Sequence, residues 1–280
     1  KYGPGQLWET AAAEIEAMGG KILKNCKVTG VQTENEKVTA LETKGANGAQ
    51  QIIEGDIFIS SMPLKDLVTS MGEVVPKDIR AIAEGLPYRD FVTVGLLVDH
   101  LNLKNLTKIR TLNNIVPDCW IYVQDTGVKL GRIQIFNNWS PYLVEDVDSK
   151  IWIGLEYFCN EGDSFWNLSD DKCIRLAVED LIRMGIISRK EDVLDSHREK
   201  LKKAYPAYFG TYGKIDQLIS YLNGFENLYC VGRNGQHRYN NMDHSMLTAF
   251  ETVKNILMGE KSRENIWNVN TEKEYHEEKA

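Results

Sequence analysis

Hydrophobic residues recur at helical spacing in three segments of the chain. In residues 6–18 (QLWETAAAEIEAM) they fall on one side of a helix that Pro4 precedes and Gly19-Gly20 ends. The same spacing predicts a helix over residues 170–184. It also predicts a helix after the NN pair at 240–241, with this apolar face: Met246, Ala249, Phe250, Val253, Ile256 and Leu257.

Shorter apolar or alternating runs between these segments predict strands. Four lie near the start, at residues 21–23, 28–33, 37–43 and 51–53, and the run DIFIS at 56–60 is typical of a strand covered on both faces. Residues 91–98, 120–123, 132–137 and 151–157 are spaced closely enough to form one largely antiparallel sheet. A further buried strand at 227–231 leads directly into a turn and the last helix.

Composition limits the kinds of partner. The 280 residues suffice for two domains, and 42% hydrophobic with 26% charged residues is ordinary for a globular protein. A net charge of -7 disfavours nonspecific binding to nucleic acid or to anionic membranes. Five cysteines without a CxxC pair indicate buried thiols in a reducing compartment, and no apolar run is long enough to span a bilayer. We expect a cytoplasmic protein without a metal site or a transmembrane segment.

The segment VGRNGQHRYNNMDHSM at 231–246 carries the densest polar chemistry. A buried strand that ends in Gly232-Arg233 and precedes a helix suits an anion or a flavin edge, because helix-start N–H groups lack partners. The alternative is a structural turn in which Asn240 or Asn241 caps the helix.

Three other motifs have both a functional and a structural interpretation. YGPGQLW at 2–8 is either a tight loop close to a flat ring or an ordinary helix start. In the hairpin at 119–142, Tyr122 and Arg132 either face one cleft or leave a solvated arginine on the surface. In KKAYPAY at 202–208, Tyr205 either donates to a phosphate or only packs.

Several signatures are missing from the sequence. It contains no G-x-G-x-x-G, no P-loop and no HExxH pair. The dinucleotide fingerprint that grips the pyrophosphate of FAD is therefore not among these residues, and we expect the chain alone to bind FAD poorly.

The motifs CWIYVQ, GRIQIFNNWSPY, Tyr205-Pro206 and GRNGQHRYNNMDHS resemble the flavin-dependent amine oxidase and protoporphyrinogen oxidase superfamily. Within it they are most similar to UDP-galactopyranose mutases of the eukaryotic type, over nearly the whole chain. The resemblance implies an α/β fold: the C-terminal part of a two-domain FAD-binding protein. A three-layer Rossmann-like domain would be joined to a mixed, largely antiparallel substrate-domain sheet.

The order of strands and helices indicates that one domain is inserted into another, and the resemblance implies what each domain binds. Residues 1–88 and 226–258 would belong to the FAD-binding domain, so that the first helix shares it with the last strand and helix. Residues 89–225 would form the substrate domain, and 259–280 a charged, poorly packed tail.

Site residues follow from the same resemblance. The substrate-diphosphate ligands would be Tyr122, Arg132, Tyr205 and Tyr239. The residues that contact FAD would be Gly3, Gly5, Val28, Gly232, Arg233, Asn241, Met242 and Asp243.

The implied function is the interconversion of pyranose and furanose forms of UDP-galactose or a related sugar nucleotide, in cell-surface polysaccharide biosynthesis. The flavin would carry the covalent chemistry. The alternatives are an FAD-dependent oxidoreductase of the amine oxidase or protoporphyrinogen oxidase type, and a truncated, noncatalytic binding module. We expect an enzyme family, with this chain inactive on its own.

Overall fold

The computed structural model describes residues 1–271. The helices are α1 (Gly5–Ala17), α2 (Leu64–Ser70), α3 (Lys77–Glu84), α4 (Phe136–Trp139), α5 (Asp170–Arg183), α6 (Ile215–Asn223), α7 (Gly232–Gln236), α8 (Met242–Met258) and α9 (Glu264–Trp267). The strands are β1 (Cys26–Glu34), β2 (Lys37–Gly45), β3 (Gln50–Glu54), β4 (Phe58–Ser60), β5 (Tyr88–Val98), β6 (Trp120–Tyr122), β7 (Arg132–Ile135), β8 (Ile151–Cys159), β9 (Val193–Pro206) and β10 (Leu228–Cys230).

The chain divides into two compact units. Unit 1 holds Lys1–Ile22 and Asp90–Lys202, and unit 2 holds Leu23–Arg89 with the described residues from Lys203 onward. The predicted bounds differ in two places: α1 lies in unit 1, and residues 203–225 lie in unit 2. Contacts explain the first difference, because the Ser140 hydroxyl donates to the Lys1 carbonyl and Gly3 packs near Leu143. The assignment of a cofactor or a substrate to each unit stays a prediction.

Unit 1 is built on a five-stranded sheet in the order β6-β7-β8-β5-β9. β6 pairs antiparallel with β7, β7 with β8, and β8 with β5, so the prediction of one largely antiparallel sheet is confirmed. Residues 136–137 belong to α4 and not to the predicted strand. The sequence patterns did not predict β9.

The two faces of this sheet differ in chemistry. One face packs against α5, with a core of Val92, Val94, Ile133, Ile153, Leu155, Ala177 and Leu181 among others. Directly opposed residues of antiparallel strands share a face. Since Tyr122 lies opposite Arg132, and Arg132 opposite Glu156, these three side chains form a row on the other face. We call it the aromatic face, after Trp120, Phe136, Trp152 and Phe158.

Unit 2 has two smaller sheets. β1, β2 and β3 form an antiparallel meander, and β4 pairs in parallel with β10. Apolar residues of α2, α3 and α6 cover this part of the chain and form its core with residues such as Phe58 and Leu228. The mixed α/β fold class that the resemblance implies is confirmed by this architecture and by the structural comparisons below.

Two packing predictions in unit 2 are wrong. Ile57 and Ile59 are 48% and 47% exposed, so the strand at 56–60 is covered on one side only. Helix α8, whose apolar residues were predicted without an orientation, buries Thr248, Thr252 and Asn255 and leaves Phe250, Val253 and Leu257 exposed. The predicted tail is packed in its described part, since Ile266 and Trp267 of α9 are buried; residues 272–280 lie outside the described residues. Residues 1–271 contain no helix long and apolar enough to cross a membrane.

Candidate functional site

The predicted ligands Tyr122 and Arg132 are direct cross-strand partners on the aromatic face. They are brought together by the short β6-β7 pairing, which fixes both side chains on one side of the sheet. The Tyr122 side chain is 59% exposed and can reach a ligand. The two residues therefore lie on one face of the sheet, and a cleft that both would face stays a prediction. The interpretation of a solvated arginine is wrong, because Arg132 is buried.

Arg132 is buried against one carboxylate and two aromatic rings. Its side chain is only 1% exposed, and its Nη2 atom lies 2.5 Å from a carboxylate oxygen of Glu156. The guanidinium carbon lies 4.6 Å from the ring centre of Trp120 and 4.7 Å from that of Phe158. These contacts keep the cation in a desolvated pocket with an opposite charge and aromatic rings.

Sequence reasoning missed Glu156, which is buried on β8 and faces the same side as Arg132. Its other oxygen accepts a hydrogen bond of 2.5 Å from the side-chain amide of Gln134. Only the strand register brings Glu156 beside Arg132, and the register cannot be deduced from local spacing alone.

Two glycines let aromatic rings lie flat on this face. A Cβ on Gly95 would stand 2.7 Å from the Trp152 ring, and one on Gly154 would stand 2.8 Å from Phe136. The rings of Phe136 and Trp152 are stacked, with centres 6.4 Å apart. The face is therefore a half-exposed aromatic surface with one buried ion pair.

In unit 2 the turn between β10 and α8 contains two glycines, Gly232 and Gly235, at positions that disfavour a side chain. Gly232 has a φ of +74°, a conformation that favours glycine, and the nearest atoms to a Cβ built there would be those of Ser245 at 3.9 Å. Its N–H donates to the Thr248 hydroxyl, which ties the turn to α8. Gly235 packs against the main chain of Ser60 at the end of β4, where a Cβ would not fit.

Arg233 joins this turn to the end of β9. Its guanidinium donates to the carbonyls of Asn240 and Ala204. It also lies over the rings of Tyr205 and Tyr239, 5.1 and 4.9 Å from their centres, and these rings stack on each other. The structure thus brings together two predicted diphosphate ligands and one predicted flavin contact. Tyr205 is buried and its ring packs against Tyr239, and a hydrogen bond from its hydroxyl to a phosphate stays a prediction.

The start of α8 lies next to this turn. Asn241 is its N-cap, as one interpretation predicted, and the N–H of Asn241 donates to His244. Met242 and Asp243 are exposed in the first turn. The start of α8 is exposed beside the Gly232 turn, and the role of these residues toward a flavin stays a prediction. The pyrophosphate fingerprint is not among the 280 residues.

The remaining predicted FAD contacts lie elsewhere in the chain. Gly3, with a φ of +87°, and Gly5, the first residue of α1, belong to unit 1. Val28 lies on β1 in unit 2, next to a register shift between β1 and β2. Their role toward FAD stays a prediction.

The sequence patterns also did not predict a structural role for His237. It is fully buried, with a φ of +49°, and its Nε2 atom lies 3.1 Å from the carbonyl of Ala207. Burial lowers the pKa of this imidazole to about 4, against the weaker opposing effect of the hydrogen bond to Ala207. The side chain is therefore neutral at pH 7 and donates from Nε2, which suits a structural role.

The described residues contain one group of potential metal ligands, Asp99, His100 and Asp192. The buried Asp192 carboxylate already accepts hydrogen bonds from the N–H groups of Ser188 and Arg189 and from the Arg189 guanidinium. These bonds close a turn, so the cluster has a structural explanation without a metal.

Comparison with solved structures identifies the fold. A reduced UDP-galactopyranose mutase matches over 94% of this chain and 52% of its own, with a TM-score of 0.73 and 17% sequence identity. A protein described as a protoporphyrinogen oxidase from Exiguobacterium gives 0.64 and 12%, over 90% and 51% of the two chains. A redesigned putrescine oxidase gives 0.62 and 12%, over 90% and 52%. No protein-family model and no curated protein matches the sequence.

The chain therefore has the fold that these solved structures share, which is the fold that the resemblance implied. It spans about half the length of the solved structures that it matches. At 12 to 17% identity the comparisons establish the fold and do not select a substrate.

Proposed function

We propose that this chain is part of an FAD-dependent UDP-sugar mutase, which interconverts the pyranose and furanose forms of UDP-galactose or a related sugar nucleotide. The observation that carries the proposal is the pairing of Tyr122 with Arg132 on the aromatic face. A guanidinium and a phenol on neighbouring strands are suited to the oxygens of a diphosphate.

The flavin, when bound, supplies the covalent chemistry at the sugar. The residues Gly232, Arg233, Asn241, Met242 and Asp243 would hold its ring end, with Gly3, Gly5 and Val28 as further contacts. Arg132 would bind the phosphate oxygens in a planar fork, and Tyr122 would donate its hydroxyl. Tyr205 and Tyr239 are proposed as further hydroxyl donors. These groups would stabilise the charge that develops when UDP leaves and would keep UDP in place for its return.

The free state of all five cysteines supports a reducing compartment, and we place the protein in the cytoplasm. A furanose product would supply the synthesis of cell-surface polysaccharides.

One observation favours a second candidate, an oxidoreductase of the same fold that acts on an amine or a porphyrinogen. The Glu156 carboxylate neutralises Arg132, and aromatic rings surround the pair. An apolar substrate would lie on such a face without meeting a net charge.

Titration of the intact protein with UDP tests the proposal. Tyr122→Phe should weaken UDP binding by about 0.5–1.5 kcal/mol, or roughly two- to tenfold, because one hydrogen bond is lost. Arg132→Lys should weaken it further, because an ammonium cannot form the fork. Arg132→Ala alone is a poor test, since it leaves Glu156 buried without its counter-ion and costs about 3–5 kcal/mol of stability.

Two controls accompany this titration. Tyr142→Phe removes the hydroxyl of another exposed tyrosine in unit 1 and should leave UDP affinity unchanged. Arg233→Ala should weaken FAD before it weakens UDP. A wild-type protein that binds FAD but no UDP would reject the mutase and favour the oxidoreductase.

A further inference from the structure

The Arg132-Glu156 pair sits at the one place on the aromatic face where an anionic ligand would bind under the proposed function. The two charges are 2.5 Å apart, and the side chains of Arg132 and Glu156 are 1% and 4% exposed. Water therefore does little to weaken their attraction. The pair as a whole carries no net charge.

Glu156 is fixed in this position. Gln134 donates to its second oxygen at 2.5 Å, and Gln134 lies two residues from Arg132 on the same strand. The rings of Trp120 and Phe158 lie over the guanidinium, so its direction is fixed too. Gln134 and Arg132 therefore hold the Glu156 carboxylate in one position on this face.

A carboxylate and a phosphate use the same feature of arginine. Both place oxygens along the edge of the planar guanidinium and accept its parallel N–H groups. The carboxylate of Glu156 thus lies against the Nη2 group of Arg132, which a diphosphate would also use. A ligand that binds Arg132 also approaches the negative charge of Glu156 in a medium of low dielectric constant.

We propose that Glu156 is an internal competitor of the diphosphate for Arg132. Phosphate oxygens compete with the fixed carboxylate for Arg132 and approach its negative charge, so Glu156 lowers the affinity of the site and disfavours weakly charged ligands. Glu156 is therefore a residue that sets specificity. The inference rests on the proposed function, because it takes Arg132 as a diphosphate ligand.

The test is Glu156→Gln in the intact protein, titrated with UDP. Glutamine keeps the size of the side chain and an oxygen for Gln134 but removes the charge. We expect UDP to bind at least about tenfold more tightly, because a charged competitor has gone. An unchanged or weaker UDP affinity would overturn the inference, since a glutamate that only supports the fold predicts one of these results.

A matched control and a second variant sharpen the experiment. Glu161→Gln removes a carboxylate from an exposed ion pair with Lys202 in the same unit and should leave UDP affinity unchanged. If Glu156→Gln does not fold, Glu156→Asp decides: its shorter carboxylate reaches Arg132 less well, so UDP should bind more tightly than to the wild type. An affinity equal to or below that of the wild type would overturn the inference.

Arg132→Lys in the Glu156→Gln background tests whether the gain acts through the arginine. The gain should shrink in this double variant, and a gain of full size would contradict the inference. The results that reject the proposed function differ from those that reject only this inference. If neither the wild type nor the variants bind UDP, the mutase is rejected and this inference with it, whereas UDP binding that ignores Glu156 rejects the inference alone.

Discussion

His237 illustrates how a single side chain couples this fold to pH. Its imidazole is fully buried and donates to the Ala207 carbonyl, and its ring packs edge-on against Tyr88, with ring centres 4.7 Å apart. Protonation would place a charge in an environment that cannot solvate it. Folding therefore favours the neutral form, with a pKa of about 4 against about 6.5 in an unfolded chain.

This difference predicts a loss of stability in acid. Above pH 6.5 both states are neutral and the contribution of His237 is complete. Between pH 6.5 and about 4 only the unfolded state binds the proton, so the free energy of unfolding falls by about 3 kcal/mol as the pH falls. Below about pH 4 the folded state is protonated as well and the loss levels off.

Urea unfolding of the wild type and His237→Gln at several pH values measures this effect. The variant should be less stable at pH 7 but should lose less stability on acidification. His197→Gln, which changes an exposed histidine, should keep the wild-type pH dependence. Parallel pH profiles for wild type and His237→Gln would contradict the assignment.

At the residue scale, local pattern gave part of the site. It singled out Tyr122 and Arg132 as candidates because they lie in an aromatic hairpin, and the Gly232-Arg233 turn because it lies between a buried strand and a helix. It missed Glu156, Gln134 and His237, because their roles depend on partners on other strands or on burial. Neither strand register nor burial of a single polar residue leaves a local signal.

Helix α8 shows where element-scale reasoning fails. Hydrophobic periodicity defines an apolar side but not the side on which the neighbouring element lies. Here the neighbour is the Gly232 turn, whose N–H donates to Thr248, so the threonine side is buried. Strand β9 was missed for a related reason: it is an edge strand with mostly exposed, charged residues, which is typical of protected sheet edges.

Because the threonine side of α8 is buried, a substitution at a buried threonine should cost more stability than a substitution at an exposed apolar residue of the same helix. Thr248→Val keeps the shape but leaves the Gly232 N–H buried without an acceptor, at a cost of about 1–3 kcal/mol. Phe250→Ser removes a ring that is 66% exposed and should change stability by less than about 0.5 kcal/mol. Chemical unfolding compares the two, with Leu257→Ser as a second exposed position. A larger cost for Phe250→Ser would mean that this face is covered in solution.

At the scale of the whole molecule, the sequence predicted the fold class and the antiparallel sheet better than the division of the chain. Alternation and close spacing determine strand pairing within a unit, whereas membership of a unit depends on contacts between distant segments. Helix α1 is an example, because its surroundings in unit 1 come from residues near Ser140 and Leu143. The hydrophobic periodicity of α1 does not indicate which residues of unit 1 surround this helix.

The 280-residue chain should bind FAD only weakly. The Gly232 turn and the start of α8 offer contacts for the ring end of a flavin, but the chain contains no G-x-G-x-x-G. The pyrophosphate carries two charges that such a glycine turn and its helix normally bind, and without them most of the affinity is lost. We therefore expect the purified chain to contain much less than one FAD per molecule. Flavin absorbance and a titration with added FAD measure this, and Arg233→Ala should abolish the residual binding. A yellow preparation with one FAD per chain would contradict the prediction, because it would require a pyrophosphate site built from other residues.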